Sequence, residues 1–226
     1  MPEPEKRMFK NLIFDWSGTL VDDLGPVLDA TNAVFDAYGL KPMTREEFRR
    51  HFRLPYVGFY EEFLPGVPIS ELEDIFRAAF AASASPVTVL PHAREKLDWC
   101  RRRGIRSFVL TSMDEPAFRK QLAQFGLGDV FEATYAGVVD KRHRIGEILE
   151  RHGLERDLTA FVGDMVHDIE TARHGGVASV AVLTGYTAPE TLAEARPDFT
   201  VADLDELRRM LERGAADGTP QPVAGG

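Results

Sequence analysis

The apolar and polar positions divide this chain into one strand, a helical block and a long alternation of strands with helices. Leu12, Ile13 and Phe14 form a short apolar run that predicts a buried strand, and Gly18 ends the pattern. From residue 24 to about residue 84 no strand-like alternation is clear. The apolar spacing from Pro26 to Tyr38 predicts a helix there.

From Pro91 onward, strands are predicted to alternate with helices. The predicted strands are Ile105–Leu110, Ala133–Val139, Thr159–Val162, Ser179–Leu183 and Phe199–Val201. The predicted helices are His92–Arg103, Ala117–Phe125, Ile145–His152, Ile169–His174 and Leu204–Leu211. This alternation is typical of an α/β protein with a parallel sheet doubly wound by helices on both faces.

The pattern also predicts the domain organisation. Residues 8–21 and 86–211 are predicted to form the core domain, and residues 22–85 an inserted helical domain. The tail, residues 212–226, consists mostly of Gly, Ala and Pro beyond residue 214 and is predicted to be disordered. Within the helical domain, Thr44 with Glu47 and Ser70 with Glu73 each fit a capping box that would open a helix.

Composition narrows the classes of function. The net charge of −9 argues against a general nucleic-acid binder, and no apolar run is long enough to span a membrane. No secretory signal is visible at the N-terminus, so we expect a cytoplasmic protein. Cys100 is the only cysteine, and packing within a helix is its expected role. Arg101 to Arg103 end a predicted helix, where the helix dipole favours cations.

Candidate chemistry collects where the predicted strands end. Asp15, Thr111 with Ser112, and Asp164 each follow an apolar strand, so a parallel sheet would bring them to one edge. Asp168 lies four residues after Asp164. Three carboxylates so close together would repel one another without a cation, and their hard oxygen atoms suit Mg²⁺.

Lys141 follows another predicted strand and could supply positive charge to an anionic substrate. A simpler interpretation makes Lys141 part of a solvated basic run, KRHR, and makes Asp164 and Asp168 ordinary residues of a helix start. The coincidence of these residues at successive strand ends favours the functional interpretation.

Four motifs in this sequence resemble those of the haloacid dehalogenase superfamily, whose fold is a Rossmann-like core with an inserted cap. FDWSGTLVDD at 14–23 resembles the first motif, and LTS at 110–112 the second. Lys141 in VVDKRHRIGEIL resembles the third motif, and GDMVHD at 163–168 the fourth. The helical block after the first motif lies where relatives with a type-1 cap carry it.

The resemblance implies a role for each matched residue. Asp15 would attack phosphorus to give an aspartyl-phosphate, which water then hydrolyses. Mg²⁺ would be held by the Asp15 carboxylate, the Ser17 main-chain carbonyl and Asp164, with Asp168 assisting. Thr111 would hydrogen-bond the phosphoryl oxygens, helped by the Ser112 and Gly18 amides, and Lys141 would neutralise the charge that develops.

The chain departs from the family at Ser17, where phosphatases usually carry a second Asp that serves as general acid and base. Loss of such a group typically lowers the rate by about 10²–10⁴. The first hypothesis is therefore a phosphatase that is slow, that acts on good leaving groups, or that recruits an acid–base group from the cap, with His51 and Glu61–Glu62 as candidates. A second hypothesis is a weakly catalytic regulatory module that binds phosphate and metal.

A third hypothesis arises from Trp16, because FDWSGT resembles the FDWAGT of phosphonoacetaldehyde hydrolase. That reaction needs a cap lysine for a Schiff base, and Lys41 is the only lysine between Asp22 and Ser85. The favoured prediction is a Mg²⁺-dependent phosphatase of a small phosphorylated metabolite, similar to phosphoglycolate phosphatases. Arg53 is the cap candidate for a second anionic group of the substrate. We expect a monomer or a homodimer that binds neither nucleic acid nor membrane.

Overall fold

A parallel sheet of six strands, in the order β5-β4-β1-β6-β7-β8, forms the centre of the molecule. The computed structural model describes residues 9–216 of the chain, and the side chains of residues 9–213. The strands of this sheet are β1 Asn11–Phe14, β4 Arg106–Leu110, β5 Ala133–Tyr135, β6 Thr159–Gly163, β7 Ala178–Val182 and β8 Phe199–Val201. Two short strands, β2 Val21–Asp22 and β3 Thr88–Val89, form a separate antiparallel pair.

Helices cover both faces of the sheet. The core helices are α5 Ala93–Arg102, α6 Glu115–Gln124, α7 Arg142–His152, α8 Val166–Gly175, α9 Pro189–Glu194 and α10 Leu204–Ala216. The helices α5, α6 and α10 pack against the sheet through one apolar cluster, to which they contribute Leu97, Phe118 and Leu207 respectively. Ile145 and Ala172 bury α7 and α8 in a second cluster. The doubly wound α/β architecture predicted from the alternating pattern is therefore confirmed.

The strand β1 has a central place because it pairs in parallel with β4 on one side and with β6 on the other. All four of its residues are buried, as expected for a strand covered on both faces. The carboxyl ends of β1, β4 and β6 are consequently neighbours. The residues that follow them, Asp15, Thr111 and Asp164, meet at one edge of the sheet.

A helical segment, residues 24–82, lies between β2 and β3. Its helices are α1 Leu24–Ala37, α2 Arg45–His51, α3 Tyr56–Phe63 and α4 Ile69–Ala82. Phe35, Phe48 and Phe59 are buried in the apolar cluster of this segment. Met165 and Tyr186, which follow strands of the main sheet, belong to the same cluster. Most aromatic side chains of the segment therefore pack within it, and the cluster also contacts residues that follow strands of the main sheet.

Every strand predicted for the main sheet is present, but several bounds differ. The strand β5 ends at Tyr135 instead of Val139, because Gly137 adopts a left-handed φ of 72° that breaks the extended chain. The helix α10 continues to Ala216, beyond the predicted end at Leu211. Residues 217–226 of the predicted disordered tail lie outside the described residues.

One of the two predicted capping boxes is confirmed and the other is wrong. The Thr44 hydroxyl accepts the Glu47 N–H, while the Glu47 carboxylate accepts the Thr44 N–H. At the second, α4 already begins at Ile69 after Pro68, so Ser70 lies inside the first turn and caps nothing. The sequence pattern also missed β2, β3, α9 and the 3₁₀ turn Arg156–Leu158. Among residues 9–216, none of the helices has the length and apolar character needed to cross a bilayer.

Candidate active site

Three buried carboxylates meet at the carboxyl edge of the sheet. Asp15 follows β1, Asp164 follows β6, and Asp168 lies in the first turn of α8. One carboxylate oxygen from each falls within 4.8 Å of the others, and each residue is at most 3% exposed. The sheet topology and the short turn into α8 are sufficient to bring these side chains together.

Lys141 places a positive charge between two of these carboxylates. Its side chain is fully buried, and Nζ donates to Asp15 Oδ1 and to Asp168 Oδ1 at 2.7 Å each. Its backbone N–H donates to His167 Nε2 at 3.1 Å, which anchors the residue where α7 begins. The interpretation of Lys141 as part of a solvated basic run is therefore wrong, although Arg142, His143 and Arg144 are partly or largely exposed.

Asp164 is held by groups from two loops. Its Oδ1 accepts the Thr19 hydroxyl at 2.8 Å, and its Oδ2 accepts the Tyr186 N–H at 2.7 Å. A Cβ added to Gly18 would lie 2.4 Å from Asp164 Oδ2, and one added to Gly185 would lie 2.0 Å from the same atom. Both loops can approach the carboxylate this closely only because they carry glycine.

Burial and mutual repulsion dominate the electrostatics of the cluster. Burial raises the pKa of Asp15 to about 6, against the opposing attraction of Lys141. Burial, followed by the charges of Asp15 and Asp168, raises the pKa of Asp164 well above its ordinary value. Burial alone would lower the pKa of Lys141, but the attraction of Asp15 and Asp168 outweighs it and the pKa is raised. The cluster holds more negative than positive charge.

Beside this cluster lies a second hydrogen-bonded group. The Ser17 hydroxyl donates to Asp23 Oδ2 at 2.7 Å, and the Tyr186 hydroxyl donates to Asp23 Oδ1 at 2.7 Å. Asp23 is only 1% exposed, whereas Ser17 is half-buried. Burial raises the pKa of Asp23 to about 6, and the nearby Asp15 charge adds to that rise.

The remaining predicted site residues differ in their surroundings. Thr111 is buried at the end of β4, and its hydroxyl accepts the Met113 N–H at 3.2 Å. Ser112 follows it and is half-buried. Arg53 is exposed in the helical segment, where it pairs with Glu62 at 2.7 Å and donates to the Gly58 carbonyl at 2.8 Å. The structure therefore brings the candidates of the sheet edge together, whereas Arg53 contacts residues of its own helical segment.

The three candidates for an acid–base group in the helical segment, His51, Glu61 and Glu62, are all exposed. His51 Nδ1 lies 3.5 Å from the Glu62 carboxylate, and both side chains are more than 40% exposed. Glu61 is also exposed. Their contacts are those of a surface ion-pair group.

Four residues of this site were not predicted from the sequence: Thr19, Asp23, His167 and Tyr186. Thr19 and Asp23 lie within FDWSGTLVDD, so the motif contained them, but nothing in the pattern gave either a role in the site. His167 lies inside GDMVHD. Tyr186 follows the last buried strand before α9, and only the folded chain brings it to Asp164 and Asp23.

Comparisons with known proteins agree with this architecture. The family model described as haloacid dehalogenase-like hydrolase matches residues 12–182, so the chain belongs to that family. A phosphoglycolate phosphatase from Agrobacterium fabrum is 30% identical over 90% of this chain and 95% of its own length. A phosphoglycolate phosphatase from Synechococcus elongatus is 26% identical over 88% of this chain and 96% of its own. The crystal structure of a predicted phosphatase from Clostridium acetobutylicum covers 91% of this chain and 99% of its own, with a TM-score of 0.80 at 20% identity.

Proposed function

We propose that this hydrolase is a Mg²⁺-dependent phosphatase that cleaves small phosphate monoesters through an aspartyl-phosphate on Asp15. The observation that carries the proposal is the pair of buried ion pairs that Lys141 makes with Asp15 and Asp168, with Asp164 beside them. A buried lysine between two carboxylates is costly to maintain for stability alone, because each charge must be removed from water. The names of the relatives reported above support the same reaction class.

The donor set fits Mg²⁺. Three carboxylates with one lysine leave an excess of negative charge, and after burial the charges of Asp15 and Asp168 add to the raised pKa of Asp164. Oxygen ligands of this kind are those that Mg²⁺ prefers. We assign Asp15, Asp164 and the Ser17 main-chain carbonyl as its ligands, with Asp168 assisting through its ion pair with Lys141. A bound Mg²⁺ would supply charge stabilisation at the phosphoryl oxygens.

In the first step, an Asp15 oxygen attacks phosphorus and the ester oxygen departs with its electron pair, leaving an aspartyl-phosphate. Lys141 keeps the Asp15 carboxylate oriented and offsets the negative charge of the phosphoryl group. Thr111, with the Ser112 and Gly18 amides, is the proposed donor set for the phosphoryl oxygens. In the second step, water attacks phosphorus, the bond to Asp15 breaks, and inorganic phosphate leaves.

The proposed substrate is a small phosphorylated metabolite, and phosphoglycolate is the first to test, on the strength of the relatives. Arg53 stays our candidate for a second anionic group, provided that substrate displaces Glu62 from it. The Schiff-base hypothesis gains no support, because Lys41 is exposed in the loop between α1 and α2. We also propose that residues 22–85 act as a cap over the site. The oligomeric state and the cytoplasmic location stay predictions.

The test is Mg²⁺-dependent phosphate release from a panel that contains phosphoglycolate, other small monoesters, p-nitrophenyl phosphate and phosphonoacetaldehyde. Asp15→Asn should lower turnover by at least about 10³-fold, because it removes the nucleophile. Asp198→Asn is the control, since the Asp198 carboxylate also accepts hydrogen bonds, from the Ser179 N–H and hydroxyl, but at the opposite end of β7. Its turnover should stay near that of the wild type.

Mg²⁺ binding without phosphate release from any monoester would overturn the phosphatase and favour the regulatory module. Cleavage of phosphonoacetaldehyde alone would favour carbon–phosphorus hydrolysis.

A further inference from the structure

The position two residues after Asp15 carries Ser17, whereas phosphatases that this chain resembles usually carry an acid–base carboxylate there. A carboxylate is nevertheless present one side chain further away. Asp23 Oδ2 accepts the Ser17 hydroxyl at 2.7 Å, although the two residues are six apart in the chain. The turn between them is closed by the Gly18 N–H on the Val21 carbonyl at 2.7 Å.

A buried carboxylate at position 23 costs folding free energy, which packing alone does not explain. It is 1% exposed, and the charge of Asp15 acts on it unfavourably. Ser17 and Tyr186 each donate a hydroxyl proton to a different Asp23 oxygen, whereas an asparagine would offer only one oxygen as acceptor. A full carboxylate holds hydroxyl protons more strongly than an amide oxygen does. This difference matters most for the direction of the Ser17 hydroxyl.

The direction of that hydroxyl determines what Ser17 can offer to the site. Because its hydrogen points to Asp23, its oxygen lone pairs are free to accept a hydrogen bond. Ser17 is half-buried while Asp23 is buried, so Ser17 is the more accessible residue of the pair. The second Asp23 oxygen is held by Tyr186, whose backbone N–H also fixes Asp164. The pair is thereby tied to the same scaffold as the acidic cluster.

We propose that Asp23 is a positioning residue that aims the Ser17 oxygen at the water molecule that hydrolyses the aspartyl-phosphate on Asp15. The inference rests on the proposed phosphatase function and deepens it. The water oxygen bonds to phosphorus, and the phosphorus–oxygen bond to Asp15 breaks, its electron pair returning to the carboxylate. Both water protons leave with inorganic phosphate, one of them on a phosphoryl oxygen, so Ser17 and Asp23 end the step unchanged.

The test separates the two chemical steps with p-nitrophenyl phosphate in rapid-mixing experiments. In Asp23→Asn, kcat should fall about 10-fold to 100-fold, because the attacking water is less well oriented. The burst of p-nitrophenol should approach one equivalent per enzyme, since the aspartyl-phosphate then accumulates, and KM should fall together with kcat. Ser17→Ala should behave in the same way, and Ser17→Ala/Asp23→Asn should be no slower than Ser17→Ala alone.

Tyr186→Phe is the matched control, because it removes the other hydrogen bond to Asp23 and leaves the Ser17 contact in place. It should change kcat by less than Asp23→Asn does. If Asp23→Asn does not fold, Ser17→Ala and the exchange variant Ser17→Asp/Asp23→Ser carry the test. The exchange variant places a carboxylate next to the site and should recover or exceed wild-type kcat.

An unchanged kcat in Asp23→Asn would overturn the inference. So would a slower burst together with additive losses of kcat in the double variant. In both cases, turnover by the wild type would still support the proposed phosphatase function. A wild type that releases no p-nitrophenol and no phosphate from any monoester would instead overturn the proposed function itself.

Discussion

At the scale of single residues, the site depends on how closely the backbone can approach a carboxylate. Gly18 adopts a φ of 77°, and its missing Cβ leaves room for Asp164 and for the Tyr186 ring. A side chain there would meet both a conformational and a steric obstacle. The glycine of the FDWSGT motif is therefore explained by the space it leaves as well as by its backbone conformation.

Gly18→Ala should consequently lower both stability and turnover. The left-handed conformation alone costs an alanine about 1–2 kcal/mol, and displacement of Asp164 adds to that cost. Gly39→Ala is the matched control, since Gly39 has a φ of 72° with nothing within 4 Å of an added Cβ. Urea unfolding and phosphate release measure the two effects. Equal losses in both variants, with turnover kept, would show that the contact with Asp164 is unimportant.

Residue types in the sequence indicated the acidic cluster but not its hydrogen-bond partners. Asp15, Lys141, Asp164 and Asp168 follow strands or open helices, so topology alone predicted that they meet. Asp23 gave no such signal, because it follows β2, a strand of only two residues that the apolar pattern did not predict. Its contact with Ser17 depends on a turn geometry that apolar spacing does not encode.

At the scale of secondary-structure elements, the helix α5 carries one polar group that its packing does not satisfy. Lys96 is 1% exposed, and no hydrogen-bond partner of its Nζ is found among the described residues. The Nζ lies 4.4 Å from the centre of the Trp99 ring, which offsets part of the cost of burial. Burial lowers the pKa of Lys96 to about 8. Nearby charged groups on α10, Arg208 and Glu212, act on it in opposite directions.

Lys96→Met should therefore raise the melting temperature at pH 7, through a gain on the order of 1–3 kcal/mol. The folded-state pKa lies below the ordinary lysine value of 10.5, so the unfolded chain binds more protons between about pH 8 and pH 10.5. Wild-type stability from this group thus rises with pH across that window, and the advantage of the variant shrinks. Lys120→Met, at an exposed site on α6, is the control. Melting curves of both variants at pH 7 and pH 10 provide the measurement, and a gain independent of pH would contradict the argument.

The two capping boxes show why an element's first residue is harder to predict than its existence. Thr44 and Ser70 have the same spacing to a glutamate, and only Thr44 caps a helix. Pro68 sets an extended backbone immediately before Ile69, so α4 starts two residues too early for Ser70 to cap it. The local motif was present twice, and the backbone around it decided the outcome.

At the scale of the whole molecule, the packing of the sheet concentrates negative charge in a region closed to water. Asp15 lies about 150 residues before Asp164 and Asp168, and the three carboxylates meet only in the folded state. A cation that binds there stabilises the fold, because the unfolded chain offers no comparable site.

We therefore expect Mg²⁺ to raise the melting temperature. Saturation at about 100 times the dissociation constant corresponds to about 2.7 kcal/mol. Asp164→Asn should lose most of this shift, since it removes a ligand and one negative charge, whereas Asp198→Asn should keep it. Thermal unfolding in EDTA and across a Mg²⁺ titration measures the effect. An undiminished shift in Asp164→Asn would show that Mg²⁺ binds elsewhere.

The sequence by itself determined the six strands of the main sheet and most of the helices between them, the insertion of a helical segment after the first strand, and the carboxylates and lysine that gather at one edge. These features follow from apolar periodicity and from the rule that parallel strands end on the same side. Only the tertiary structure decided that Lys141 bridges Asp15 and Asp168, that Arg53 pairs with Glu62, and that Asp23 stands behind Ser17. Each of these contacts joins residues through turns, side-chain directions and close approaches, and these arise only when the whole chain is packed.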